Sequence, residues 1–328
     1  YNKVYADSYS VIGGNSNNYG IYLQSVRNSI VSYNEVHNNG SGGDDGIYTI
    51  SDSQDNQIIN NVINISSDGV GIYVSDLQNS NVSNNVLRTQ SYAFRSSANS
   101  TGLKVFDNSF YNQDVGSWNS LVSGYLSELF NNTIEGLTGG VSIADSYNVT
   151  AYDNNINVTG TGLQLNDQMN SSVFNNTIYS ASRCVEIRDT SDGNKVYQNT
   201  IYNCTQHAFY LTVNEGVIIG SNTIYNNEII GHVEDYDLLY DATRPGLNGT
   251  VLGDQYIADY SFNQNTLTIR DTEFGEIKFI EVVDGTGTNL SNDVRIGNNS
   301  VYVNSSQTGL NKSANITLYG VGNRGFVV

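Results

Sequence analysis

Val173-Phe174-Asn175-Asn176-Thr177-Ile178 is one instance of the pattern that decides the fold. An apolar residue stands three before an asparagine, and another stands two after it. The frame recurs at Asn34, Asn61, Asn85, Asn108, Asn132, Asn154, Asn176, Asn199 and Asn222, at intervals of 22 to 27 residues. A repeat of this length signals a solenoid. Between the frames lie second short runs, among them Ile21-Tyr22-Leu23, Ile72-Tyr73-Val74, Val141-Ser142-Ile143, Leu163-Gln164-Leu165, Val185-Glu186-Ile187 and Phe209-Tyr210-Leu211. They alternate in, out, in, which is the period of a strand. Helical periodicity does not persist anywhere, and Gly, Asn, Ser and Asp punctuate the runs as turns require.

A coil of ~22–24 residues is too short for a strand–helix repeat with full crossovers. The expected fold is therefore all-β: a right-handed parallel β-helix of about nine to ten coils, followed by a small C-terminal β-sandwich-like domain. At a fixed bend in each coil, an asparagine amide can stack on the amides above and below and satisfy buried polar groups. Asparagine also tolerates the left-handed backbone that such bends need. Nine coils would span roughly 43 Å.

The runs Asn60-Asn61-Val62-Ile63, Asn84-Asn85-Val86-Leu87, Asn131-Asn132-Thr133-Ile134 and Asn175-Asn176-Thr177-Ile178 resemble the parallel β-helix repeats of carbohydrate-active and cell-surface proteins. The resemblance covers about residues 10–235. It implies the fold, while its functions span lyases, epimerases, hydrolases, adhesins and structural rods. The later runs Leu267-Thr268-Ile269, Lys278-Phe279-Ile280 and Asn311-Lys312-Ser313-Ala314-Asn315-Ile316 resemble modules of secreted archaeal proteins.

The expected domains are an N-terminal strand or cap at 1–10, the β-helix at 11–235, a cap or linker at 236–247 and an all-β C-terminal domain at 248–328. The acidic stretch 233–241 breaks the repeat, and the only proline, Pro245, follows it. Alternating runs at 256–262, 266–270, 277–283, 294–296, 300–303 and 314–319 then read as short strands.

The 328 residues carry 14 Lys+Arg against 32 Asp+Glu, a formal charge of −18. Such a chain is repelled by phosphate and by anionic membranes, so nucleic acid is not an expected partner. By the same argument, polyanionic substrates are disfavoured unless Ca²⁺ bridges them. There is no apolar run long enough for a transmembrane segment. Residue 1 is Tyr and not Met, so a mature form or a fragment is expected. Sixteen Asn-x-Ser/Thr sequons occur, including Asn64, Asn81, Asn99, Asn148, Asn157, Asn170, Asn289, Asn304 and Asn315. An Asn-, Ser- and Thr-rich chain makes many by chance, but several glycosylated sites would fit an extracellular or cell-surface protein. Cys184 and Cys204 are nearly one coil apart and can face each other on adjacent turns. A disulfide there would contribute about 3 kcal/mol; the alternative is two buried thiols.

Candidate chemistry was sought against the repeat. Nine residues before the ladder asparagine stand Asp52, Asp76, Asp145 and Asp167, with Ser25, Asn99, Ser123 and Thr190 in other coils. This reads as a turn column and not as an acid/base pair. Asp44, Asp45, Asp52 and Asp55 crowd a Gly-rich insertion and could hold Ca²⁺, although their spacing matches no defined calcium loop. The histidines His37, His207 and His232 fall in different coils and lack metal-site spacing. Lys104 and Arg95 could serve a lyase, with nothing in the sequence to single them out.

Two residues before the ladder come Phe106, Phe130, Tyr152, Phe174 and Tyr197; three after it come Tyr111, Tyr179, Tyr202 and Tyr225. Both sets are predicted to point outward. A further column contains Tyr22, Tyr48, Tyr73 and Tyr210. Such columns can stabilise a sheet, bind sugar rings, or be covered by another copy of the chain. The leading expectation is a structural subunit of an extracellular assembly, a homo-oligomer or polymer in the form of a filament, sheath or surface layer. The alternatives are a β-helix polysaccharide lyase, epimerase or hydrolase, and a glycan-binding adhesin.

Overall fold

The computed structural model describes residues 2–6, 19–38, 45–66, 68–97, 99–113, 118–212, 221–232, 236–240, 251–253, 260–264, 267–287 and 289–320. Short strands follow one another around each turn and pair in parallel with their equivalents in the next. Three sheets result. Sheet I has twelve strands and starts at Ile21–Gln24, sheet II has thirteen and starts at Ile30–Ser32, and sheet III has ten and starts at Asn2–Ala6. The product is a parallel β-solenoid of about eight turns. Each sheet sends apolar columns inward: Val173 from sheet II, Ile178 from sheet III, and Val185 and Ile187 from sheet I are all buried. Each such burial is worth about 1.5–3 kcal/mol.

The asparagine ladder stands at the bend between sheets II and III. The Asn154 backbone N–H and side-chain Nδ2 donate to Asn176 Oδ1 at 3.1 and 2.9 Å. Its own Oδ1 accepts from Asn132 N and Nδ2 at 3.1 and 3.0 Å. Nδ2 also donates to the carbonyls of Leu129 and Tyr152. The left-handed residue is not the ladder asparagine but the one before it. Tyr33, Asn60, Asn84, Asp107, Asn131, Asp153, Asn175, Gln198 and Asn226 have φ of 52 to 57°.

One ladder assignment is corrected. Asn199 donates to Asn227 Oδ1, and Val196 is in register with Ile224, so Asn227 and not Asn222 continues the stack. This turn is 28 residues long, and a count at the usual interval stops one bend too early. Asn222 accepts instead from Asn194 N and Nδ2, in a second stack at the bend between sheets I and II that includes Ser171.

Parallel stacking also runs past residue 235. Tyr236–Tyr240 joins sheet I on His207–Thr212, and Tyr260–Gln264 follows it. Val251–Gly253 and then Thr268–Asp271 extend sheet II. The direction reverses only after Asp271, whose Oδ1 accepts the N–H groups of Glu273 and Phe274. Gly275 closes that turn at φ 149°, where a Cβ would stand 2.1 Å from the Thr317 carbonyl oxygen. Gly275–Phe279, Val283–Gly287 and Ala314–Leu318 then add as antiparallel strands. The C-terminal β-structure is thus laid onto the ends of the same sheets.

Asn154→Ala would leave the buried Asn132 backbone N–H without its acceptor, and would remove the side-chain bonds to Asn132 Nδ2, Asn176 Oδ1 and the Leu129 carbonyl. A loss of about 2–4 kcal/mol is expected in denaturant unfolding, against less than about 0.5 kcal/mol for Asn155→Ala, whose side chain is exposed.

Candidate functional site

Sheet I carries the most unusual outward face. The central positions of its strands run, by register, Tyr22, Tyr48, Tyr73, Arg95, Leu121, Ser142, Gln164, Glu186, Tyr210. A second column borders them at the corner with sheet III: Trp118, Gly139, Thr161, Arg183, His207. The corner itself admits only small side chains. A Cβ on Gly140 would come within 2.3 Å of the Gly162 carbonyl, and one on Gly162 within 2.7 Å of that of Cys184. Cys184 fills this column in its own turn and is bonded to Cys204 (S–S 2.06 Å), which ties the corner directly beneath Arg183 and Glu186.

Across these turns the two columns form one connected cluster. Glu186 Oε2 accepts from Gln164 Nε2 at 3.2 Å and from Thr161 Oγ1 at 3.3 Å. Gln164 Oε1 accepts from Ser142 Oγ at 3.2 Å. Arg183 reaches Glu186 Oε1 at 3.5 Å, and its guanidinium lies over the Tyr210 ring at 4.2 Å. His207 stacks on the same ring at 5.5 Å. Glu186 is 2% exposed although it belongs to an outward column, and Ser142, Gln164 and His207 are also buried. Arg183, Thr161 and Tyr210 form the accessible rim. Trp118, at one end, lies against Gly139, where a Cβ would be 2.4 Å from its ring.

A buried carboxylate on a sheet's outer face costs several kcal/mol unless it is paired and hydrogen-bonded. Here an arginine, an amide and a hydroxyl compensate it. The arrangement can bind an anionic or polyhydroxylated group at Arg183 and offers a phenol and an imidazole for proton transfer. The signal in the sequence was the middle residue of each apolar-x-apolar run. Gln164 and Glu186 depart there from small residues and tyrosines, and Arg183 and His207 stand three residues before Glu186 and Tyr210.

The aromatic columns fall elsewhere. Phe106, Phe130, Tyr152, Phe174 and Tyr197 stand on the outer face of sheet II with centroids 4.9 to 5.1 Å apart. Tyr225 stacks on Tyr197 at 4.9 Å and so belongs to this column, not beside Tyr202; the same long turn causes the shift. On sheet III, Tyr179 and Tyr202 stack at 5.0 Å, while Tyr111 is separated from them by Glu135 and Asn157 and lies under Arg88. Rings stacked in this way spend their faces on one another and show the outside their edges.

Of the calcium candidates, Asp44 lies outside the described residues. Asp45 is buried and accepts the Val70 N–H at 2.8 Å, while Asp52 and Asp55 are left-handed turn residues. Asp76, Asp145 and Asp167 have the same backbone, and Asp189, not Thr190, is their equivalent in the next turn. His37 bonds Glu35 on sheet III at 2.8 Å, and His232 lies in the Glu228–His232 strand of that sheet. Among the sequons, Asn99, Asn148, Asn157, Asn170 and Asn315 are exposed, and Asn64 and Asn81 are half-buried. Asn289 caps a helical turn through its oxygen, and Asn304 Nδ2 donates to Asp293.

Two stretches, residues 8–120 and 119–258, match the family described as periplasmic copper-binding protein (NosD), and the chain belongs to that family. No curated protein matches it in sequence. Similar solved structures include the periplasmic alginate epimerase AlgG, with 12% identity, a TM-score of 0.45, and 65% of this chain and 74% of that one covered. A mannuronan C-5 epimerase A-module of Azotobacter vinelandii gives 14%, 0.43, 70% and 78%. An exopolygalacturonase of Thermotoga maritima gives 10%, 0.47, 80% and 84%. Likeness at this level assigns no site.

The family description raises copper. The residues present do not fit it: among the described residues no three His, Cys, Asp or Glu side chains gather around a point, and both cysteines are in the disulfide. Met169, the only methionine, is exposed on a turn.

At the other end of sheet I, Tyr19, Tyr22, Tyr48 and Tyr73 pack together, with neighbouring centroids 4.6 to 5.7 Å apart. Burial, then Tyr73, Tyr19 and Asp45, push the Tyr48 phenol up to about 12. The native state therefore holds this proton more tightly than the unfolded chain, whose tyrosines titrate near 10.0. The resulting stability is present below the unfolded value and is lost as pH rises toward the folded one. Alkaline unfolding followed by circular dichroism should set in within this window and move to higher pH in Tyr48→Phe. An unchanged onset would show that Tyr48 does not control it.

Proposed function

We propose that the protein is extracytoplasmic and acts on a polysaccharide laid along sheet I, by epimerase- or lyase-type proton transfer at the Arg183–Glu186–His207–Tyr210 cluster. The buried, compensated carboxylate beneath an accessible arginine carries the reading. A periplasmic family description and the disulfide fit an oxidising compartment outside the cytoplasm. Among the described residues, no helix is long and apolar enough to cross a membrane.

The chemistry follows from the groups. Removing the proton α to a sugar carboxylate moves its electron pair toward that carboxylate, and the arginine stabilises the developing charge. Arg183 is the group placed to meet the carboxylate, with Glu186 fixing it from below. Tyr210 is the accessible acid/base, and His207, stacked behind it, positions the phenol. With the Tyr210 phenolate taking the proton, delivery of another from water on the opposite face of the carbon gives the epimer, and the phenol reprotonates the hydroxide left behind; departure of the neighbouring glycosidic oxygen with its bonding pair, protonated by the Tyr210 phenol, gives an unsaturated product. Hydrolysis is less well supported. It commonly uses two carboxylates on either side of the bond, whereas Gln164, Thr161 and Arg183 all converge on one, Glu186. The assembly-subunit reading has weaker support, because the aromatic columns find their contacts within the chain.

Wild-type protein should convert at least one acidic polysaccharide, read as stereochemical inversion by NMR or as unsaturation by ultraviolet absorbance. Tyr210→Phe should lower kcat by about 10²-fold or more with little change in melting temperature. An inert wild type across polyuronates of different stereochemistry would reject the proposal.

A further inference from the structure

Arg95 holds the same register position as Glu186, four steps away through Leu121, Ser142 and Gln164. That is roughly 19 Å at the inter-strand spacing. Its guanidinium lies 5.2 Å from the Tyr73 ring centroid and 5.6 Å from that of Tyr92. Among the described residues no carboxylate pairs with it, in a chain with 32 Asp+Glu. Two aromatic rings hold the charge in place and leave its donors without an internal acceptor.

Charged side chains are few on the strands of this face. From Ile21 to Thr212 the strands of sheet I contain Arg95, Arg183 and Arg188 against a single acid, Glu186. Many of the aspartates occupy left-handed turn positions instead, among them Asp52, Asp76, Asp107, Asp145, Asp153, Asp167 and Asp189. Arg183 and Arg188 are paired with Glu186 and Asp189, and a column of aspartates borders sheet I at its bend with sheet II, so Arg95 is the arginine of these strands that stands apart from a carboxylate among the described residues. Trp118 stands between the two arginine centres, one register step from the Arg95 strand and three from Arg183.

We infer that Arg95, with Tyr73 and Tyr92, is a second anion subsite, so that this face takes an acidic polysaccharide long enough to place one carboxylate at Arg183 and another at Arg95. The inference builds on the function proposed above. Arg95 is remote from the reacting atoms and would act on affinity alone. A trimer reaches only the Arg183 end, whereas a long oligomer covers both.

Calorimetric titration of full-length protein with a long polygalacturonate oligomer, its trimer and the carboxyl-reduced long oligomer tests this. Wild type should bind the long acidic oligomer with an affinity that falls as salt is raised. Arg95→Gln should weaken that binding by about tenfold, leave trimer binding unchanged, and raise KM without changing kcat wherever turnover is measurable. Equal binding of the neutral oligomer, or an unchanged affinity in Arg95→Gln, would overturn the subsite. Arg95-dependent binding without turnover would sink the proposed chemistry and leave the subsite standing. Arg95→Lys, which keeps the charge, should retain part of the affinity, and a variant as weak as Arg95→Gln with an altered melting temperature would mark a structural role instead.

Discussion

One side-chain oxygen with two donors sets the geometry of the molecule. In each turn the ladder asparagine accepts a backbone N–H and an amide N–H from the turn before, and offers the same pair to the turn after. The stack satisfies polar groups that would otherwise be buried unpaired at a sharp bend. Because every turn must present an asparagine at the same height, the stack also fixes the register of all three sheets. A slip of one residue would turn apolar columns outward. Insertions are tolerated only between ladder positions, as the 28-residue turn from Asn199 to Asn227 shows.

The same constraint decides where charge resides. The residue before each ladder asparagine is left-handed, and so are other turn positions. Asparagine and aspartate enter that conformation at less cost than other residues with a side chain. Acidic residues therefore accumulate at bends for backbone reasons. The formal charge of −18 reports this turn chemistry and says little about any one face. Net charge alone does not decide the partners of sheet I, because the local field depends on which groups line the surface.

Fold and site were legible to different degrees. The solenoid could be read because its signal repeats: Val173, Asn176 and Ile178 recur in kind in turn after turn. The exceptions were local. Asn222 fits the interval of the ladder but not its register, and Tyr225 shifts with it. The cluster around Glu186 was not legible as a site. Its contacting members are 3 to 27 residues apart in sequence, and they come together only once exact register is known. Glu186 and Tyr210 were visible as outward residues between apolar neighbours. Nothing in the sequence showed that Glu186 would be buried, or that Arg183 would close over it.

The aromatic residues separate two uses of the same chemistry. In the Phe106 to Tyr225 column each ring covers its neighbour at about van der Waals distance, which stabilises the sheet and consumes the ring faces. Trp118 rests on Gly139, whose missing Cβ makes the approach possible, and it belongs to no ring stack among the described residues. A rod built only for mechanical strength would gain from continuing a stack of like side chains along sheet I. Instead the tyrosine column ends at Tyr73, and the positions beyond it change from turn to turn: Arg95, Ser142, Gln164, Glu186, Tyr210. Repetition is what the ladder and core require of the other faces. Its loss on this one, above a disulfide that holds the corner, is what a surface selected for a ligand would show.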